Sequence, residues 1–184
     1  MKKLIFVFLI LIGLVAAPVF AWDPEDLTTY PSCTKAGDIV LNLGVGFGYP
    51  GTIGGDYIYV PPIRLTGDYN IAIGEKNLPF FAGLLVGYSG YGYKNDYYYS
   101  RIPVGGRFGY HFNWGIDKLD TYAVTVAGWI IHAGDGIPDN AKIGWPMIGI
   151  NVGARYFVTD WFGFWAEVGY TSLSFADIGI SFKF

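Results

Sequence analysis

The last nine residues, Ala176-Asp-Ile-Gly-Ile-Ser-Phe-Lys-Phe184, constrain this chain more than any other stretch. Side chains alternate across an extended strand, so Ile178, Ile180, Phe182 and Phe184 share one face. Asp177, Gly179, Ser181 and Lys183 share the other. A soluble strand can alternate in this way, but it rarely stops on a bare aromatic at the chain end.

The chain has 184 residues, enough for one domain. Its one long apolar run, Leu4 to Ala21, is N-terminal, whereas helical membrane proteins repeat runs of about 20 such residues. A polytopic helical protein is therefore excluded. Lys2 and Lys3, the apolar core Leu4 to Val15 and Val19-Phe20-Ala21 read as a signal peptide over residues 1–21. Pro18 breaks the run near its end. Without that segment ten basic side chains face fifteen acidic ones, a net charge of -5, so no basic face suits a nucleic acid. Cys33, the single cysteine, excludes an intrachain disulfide and lacks companions for a zinc site. It stands twelve residues past the expected cut, too far for lipidation, and reads as an unpaired thiol.

Trp22 to Gly37, with Pro24 and Pro31, has no period and reads as irregular. From Asp38 the pattern predicts eight strands: Asp38–Tyr49, Ile63–Ile73, Phe80–Tyr88, Tyr99–Phe112, Tyr122–Ile131, Met147–Phe157, Phe162–Tyr170 and Ala176–Phe184. Each is close to the about 9–11 residues that a tilted membrane strand needs. Long links at Pro50–Pro62, Ser89–Tyr98 and Ala133–Pro146 alternate with shorter ones at Gly74–Pro79, Asn113–Thr121 and Val158–Trp161. Only the short Thr171–Phe175 departs from that sorting. Barrels of even strand number sort their loops by end in this way.

One face of each strand is strongly apolar. Those sets are Ile39, Leu41, Leu43, Val45, Phe47; Ile63, Leu65, Tyr69, Ile71; and Phe80, Ala82, Leu84, Val86, Tyr88. The later strands give Ile102, Val104, Phe108, Tyr110; Tyr122, Val124, Val126, Ile130; Ile148, Ile150, Val152, Tyr156; and Phe162, Phe164, Val168, Tyr170. Periodicity alone does not tell inside from outside. The opposite faces decide it, because they mix glycines with Asn42, Arg64, Asp68, Asn70, Arg101, Arg107, His111, Asn151, Arg155, Glu167, Asp177 and Lys183. Glycines exposed to water would cost conformational entropy without return, whereas inside a narrow barrel they leave room for long Arg side chains. The expected lumen is a packed ionic network of Arg64, Arg101, Arg107 and Arg155 with Asp68, Glu167 and Asp177, joined by Lys183. Phe81, Phe157 and Trp165 are expected to fill it further.

The tyrosines and tryptophans also sort by end. Tyr110, Trp114, Tyr122, Tyr156 and Trp161 are expected at the inner rim. Tyr49, Tyr88, Tyr97, Tyr98, Tyr99, Trp145 and Tyr170 are expected at the outer one, as amphipathic rings favour membrane interfaces.

The hairpin Gly153-Ala-Arg-Tyr-Phe-Val-Thr-Asp-Trp-Phe-Gly-Phe-Trp-Ala-Glu-Val-Gly-Tyr170 and the C-terminal strand resemble small bacterial outer-membrane β-barrels. The resemblance is to the families around outer membrane proteins W and X and the opacity porins, over about residues 147–184. It implies an all-β, eight-stranded antiparallel up-and-down transmembrane barrel over 38–184, with residues 22–37 in the periplasm. It also implies that the last strand closes on the first and that the assembly machinery reads Phe182 and Phe184. Thr159-Asp160 makes the tight turn, and Glu167 is expected to face Arg155 across the pair.

Chemistry is sparse. Some outer-membrane barrels act on lipid A acyl chains with His, Ser and an acid, but His111 falls at the inner rim. His132 is expected to point away from the lumen, with no Ser two or three residues from it. Gly87-Tyr-Ser-Gly-Tyr91 lacks the last glycine of a nucleophile elbow. Asp135-Gly-Ile-Pro-Asp139-Asn140 clusters oxygen ligands without calcium-loop spacing. Neither an enzyme nor a cofactor is expected. The sequence reads as a monomeric barrel among outer-membrane lipids, with structural or surface-interaction roles and an external ligand at loops such as Ser89–Ser100. A narrow channel for ions or small hydrophobic solutes is the alternative, and a soluble ligand-binding barrel is a third.

Overall fold

The computed structural model describes residues 28–48, 56–93, 97–134, 144–171 and 173–184. The expected signal peptide at 1–21 and the Asp135–Asn140 cluster lie outside the described residues. Eight strands follow in order: β1 Ile39–Phe47, β2 Asp56–Ile73, β3 Leu78–Tyr93, β4 Tyr97–Phe112, β5 Leu119–Gly134, β6 Trp145–Phe157, β7 Phe162–Tyr170 and β8 Ala176–Lys183. Each pairs antiparallel with its neighbours in one closed barrel. The architecture is an eight-stranded antiparallel up-and-down β-barrel, with no helix long and apolar enough to cross a membrane among the described residues.

Closure uses the C-terminal strand. β8 pairs with β1 from Val40↔Lys183 to Phe47↔Ala176. Ile39 and Phe184 exchange both backbone hydrogen bonds, at 3.0 and 2.9 Å. The seam closes the sheet on itself, so β1 and β8 pair with each other instead of ending as edge strands.

Burial inverts the pattern of a soluble barrel. Leu84 and Ile148 point outward at 72% and 71% exposure, whereas Arg64 and Arg155 point inward at 0%. β1, β6 and β7 alternate in this sense, with aliphatic and aromatic residues outside. Outward β-branched and aromatic side chains suit both the pleat and lipid contact.

β5 departs from the expected register. Tyr122, Val124, Val126 and Ile130 point inward and are buried, leaving Thr125, Ala127, Trp129 and Ile131 exposed outside. Both faces of β5 are apolar, so hydrophobic alternation alone selects neither. The pairing is fixed instead by Asp120, opposite Arg155, and by the Tyr122 hydroxyl, which donates to Glu167 at 2.8 Å. Val126 and Ile130 then pack with Leu85 and Met147 into an apolar layer inside the barrel.

Several strands outrun their expected ends. β3 and β4 continue to Tyr93 and from Tyr97, so most of the tyrosine-rich Ser89–Ser100 segment is paired strand, not loop. Tyr91 stacks on Tyr99 across this pair at 5.2 Å between ring centroids. β2 likewise starts at Asp56 and runs through Pro61 and Pro62, with register shifts between Ile58 and Val60 and between Val60 and Ile63. The last β1–β2 pair is Val45↔Ile63, so β2 beyond it pairs with β3 alone. One wall of the barrel thus rises past the other.

Candidate functional site

The lumen is the candidate site, and it is filled at three levels. At the centre, Glu167 collects Arg64 Nη2 at 2.5 Å, Arg107 Nη2 at 2.6 Å and the Tyr122 hydroxyl at 2.8 Å. Asp177 lies 3.1 Å from Arg64. Asp68 accepts from Arg155 Nη2, and its other oxygen lies 2.8 Å from Arg107 Nε in an ion pair poorly aligned for a hydrogen bond. Arg155 also donates to Asp120 at 2.9 Å and to Asn42 at 3.1 Å. Charges this deep are stable only when paired, and each of these carboxylates meets a cation.

Aromatic rings pack the same section. The Arg155 guanidinium sits over Tyr122 at 4.2 Å, and that of Arg64 over Trp165 at 5.0 Å. Four inward glycines, Gly44, Gly109, Gly153 and Gly179, leave space for aromatic rings, whereas the expected use was room for Arg side chains. A Cβ on Gly109 would fall 2.3 Å from Phe81, and one on Gly153 would fall 2.4 Å from Tyr122.

Beyond the centre, away from the chain's N-terminus, lies the apolar layer of Leu85, Val126, Ile130 and Met147. Above it Arg101 stands apart from the central cluster, its guanidinium over Tyr91 at 4.9 Å and Tyr99 at 5.7 Å. His132 lies on the inward side of β5, next to Tyr99 and Trp145. The expectation that it points away from the lumen fell with the register of β5.

At the opposite mouth, residues 28–38 form an irregular strap across the barrel. The Tyr30 hydroxyl donates to Phe80 O at 3.0 Å, and Asn113 Nδ2 donates to Thr29 and to Tyr30 O at 2.9 and 3.0 Å. Gly37 N donates to Asn70 O at 2.9 Å. Lys183 belongs to this strap rather than to the central network: Nζ donates to Cys33 O at 2.5 Å and lies over Phe157. Burial first and the Asp120 charge second push the Cys33 thiol up to about 12. Burial, then Asp38 and Asp120, raises Tyr30 to about 12 as well. Both groups therefore stay protonated at neutral pH.

Two further expectations are corrected. Glu167 pairs in register with Gly153, not Arg155, and its guanidinium partners are Arg64 and Arg107. Tyr122 stands in the lumen at 1% exposure, not in an interfacial belt. Asp120 was hidden from sequence reasoning because Asn113–Thr121 reads as a link. The signal was present, since Asp120 is in phase with Tyr122 once β5 is reversed.

Among the described residues no group of three or more His, Cys, Asp and Glu is arranged to hold a metal. No protein-family model and no curated protein matches the chain. Two solved structures are similar to it at a TM-score of 0.45. One, described as "De novo design of transmembrane beta-barrels", is 21% identical and covers 82% of this chain and 98% of its own. The other is the N-terminal β-barrel domain of Pseudomonas aeruginosa OprF, 14% identical, covering 82% of this chain and 100% of its own.

Proposed function

We propose that this protein is an integral outer-membrane barrel with a closed lumen, acting through the surface that it raises beyond the bilayer. The observation that carries this reading is the inverted polarity: paired charges at the axis, with Leu84, Ile148, Ile150 and Val152 exposed outside. Water would make that outer surface an aggregation liability, and a bilayer removes the liability. Outer-membrane lipids are then its constant partners, and export follows the expected N-terminal signal. In this reading the closing strand, with Phe182 and the exposed Phe184, is the segment that the assembly machinery would recognise. We read the barrel as a monomer, since its eight strands close into one sheet within a single chain, with β2 before Ile63 paired to β3 alone.

The filled lumen supports a structural or surface-interaction role over a channel. The raised wall of β2 to β5 supports the surface role, with Tyr98 exposed near its crest and Trp145 exposed at the start of the neighbouring β6. Single-channel recording in planar bilayers tests the reading. The expected record is a flat baseline; stable, reproducible conductance steps would establish the channel alternative instead. Recovery of the native protein from the soluble fraction without detergent would remove the membrane reading altogether.

A further inference from the structure

Where the strap meets the end of the closing strand, a pocket of about 400 Å³ opens at the barrel mouth. Thr34, Lys35 and Asp38 of the strap line it, with Asp160 of the β6–β7 turn and Lys183 and Phe184. None of these side chains belongs to the central ionic network.

Two independent observations point to a ligand. Thr34 is 6% exposed, and its hydroxyl has no hydrogen-bond partner among the described residues. A buried hydroxyl left alone is costly, and an acceptor seated in the pocket would relieve that cost. The charges are the second observation. Two ammonium groups, Lys35 and Lys183, share the pocket with two carboxylates, Asp38 and Asp160. No ion pair joins these lysines to these aspartates among the described residues. An ammonium has three donors, and Lys183 Nζ uses one of them on Cys33 O. Asp38 Oδ2 accepts from Lys35 N at 3.0 Å, which holds the strap backbone around the site.

The pocket is continuous with the apolar outer wall. Phe184 lines it and, at 71% exposure, also ends the outward row of Ile178, Ile180 and Phe182. Ile39 of β1 pairs with Phe184, and Trp161 stacks on Phe182 at 6.1 Å. A ligand with its polar end in the pocket therefore has a hydrocarbon surface beside it for an apolar tail.

We propose that this pocket seats the head group of a phosphoethanolamine lipid, with its phosphate toward Lys35, Lys183 and Thr34 and its ammonium toward Asp38 and Asp160. The assignment rests on the membrane reading of the barrel and adds a lipid class to it. A phosphoglycerol head group would leave both aspartates without a cation. A phosphocholine group has no N–H to donate to them, and its quaternary ammonium favours an aromatic cage, whereas one ring, Phe184, lines this pocket.

Native mass spectrometry of the full chain released from detergent tests the assignment. Phosphoethanolamine, phosphocholine and phosphoglycerol lipids with the same acyl chains are offered in equal amounts. One phosphoethanolamine lipid should stay bound. Loss of a charge-assisted hydrogen bond weakens binding by about tenfold, so Lys35→Met and Lys183→Met should each lower retention to that extent. Lys76→Met, in the β2–β3 turn outside the pocket, should leave it unchanged. Asp160→Asn, in an exposed turn, should still hold a lipid but lose the preference for phosphoethanolamine over phosphoglycerol. Equal retention of the three classes, undiminished retention in both lysine variants, or an unchanged preference in Asp160→Asn would each overturn the proposal. Displacement of the lipid by equimolar soluble phosphoethanolamine would overturn it too, by marking the pocket as a site for a free solute. Failure of the membrane reading shows separately, as recovery of the protein without detergent, and takes this proposal with it.

Discussion

Arg155 and Asp120 stand directly opposite each other on β6 and β5, joined at 2.9 Å and both wholly buried. That pair fixes the register of β5, and it ties the central network to the His111 layer beneath the strap. The same guanidinium reaches Asp68 and Asn42, so one side chain bridges four strands.

Removing it should be costly. Arg155→Ala leaves Asp120 and Asp68 with fewer cations, while Glu167 keeps Arg64 and Arg107. The expected loss is about 3–5 kcal/mol of stability, the range for breaking a buried ion pair from one side. Urea unfolding of the refolded barrel in lipid vesicles measures it. An unchanged midpoint would mean that the pair contributes nothing to the fold.

Tyr122→Phe isolates one bond to Glu167 while keeping the ring beneath Arg155. A hydrogen bond to a charged acceptor contributes about 1.5–3 kcal/mol. The variant should fold to the same barrel with a lower urea midpoint, and equal midpoints would show that the bond contributes no net stability.

Gly109→Ala should be worse than its size suggests. Its Cβ would lie 2.3 Å from the Phe81 ring and 2.6 Å from Ala123 O, so ring and backbone would both have to shift. Overpacking of this kind costs roughly 1–3 kcal/mol. Gly106→Ala is the control, since the nearest atom to a Cβ there is 3.9 Å away. Equal stability of the two variants would contradict the packing argument.

The Cys33 thiol should resist alkylation in the folded barrel. Its value is raised from an ordinary 9.0 to about 12, so the docked strap keeps its proton longer than a released one. This contribution to docking is complete below 9.0 and is lost as pH rises toward about 12. Iodoacetamide rates followed against pH should show a midpoint far above that of the urea-unfolded chain. Coincident midpoints would place the thiol in water.

Much of the architecture was legible in β1, β6, β7 and β8, where one face is apolar and the other carries charge or glycine. β5 was not, because Val124 and Val126 on one face compete with Ala123, Ala127 and Trp129 on the other. A period of two assigns faces only when the faces differ. The ends of β3 and β4 were missed for a related reason: a run of glycine and tyrosine reads as loop, yet Tyr91 and Tyr99 stack across a continuing ladder. The strap gave no periodic signal at all, and its docking depends on backbone groups such as Cys33 O and Lys35 O.

Alternation is a local property of strands, so the residue pattern was enough to set a sheet with charge and glycine on one side and hydrocarbon on the other. Which carboxylate meets which guanidinium, that Asp120 and His111 belong to that set and that Lys183 does not, follow from how the closed barrel brings its strands together. Strand stagger and side-chain reach bring together residues more than a hundred positions apart, such as Arg64 and Glu167, and no local pattern encodes that distance.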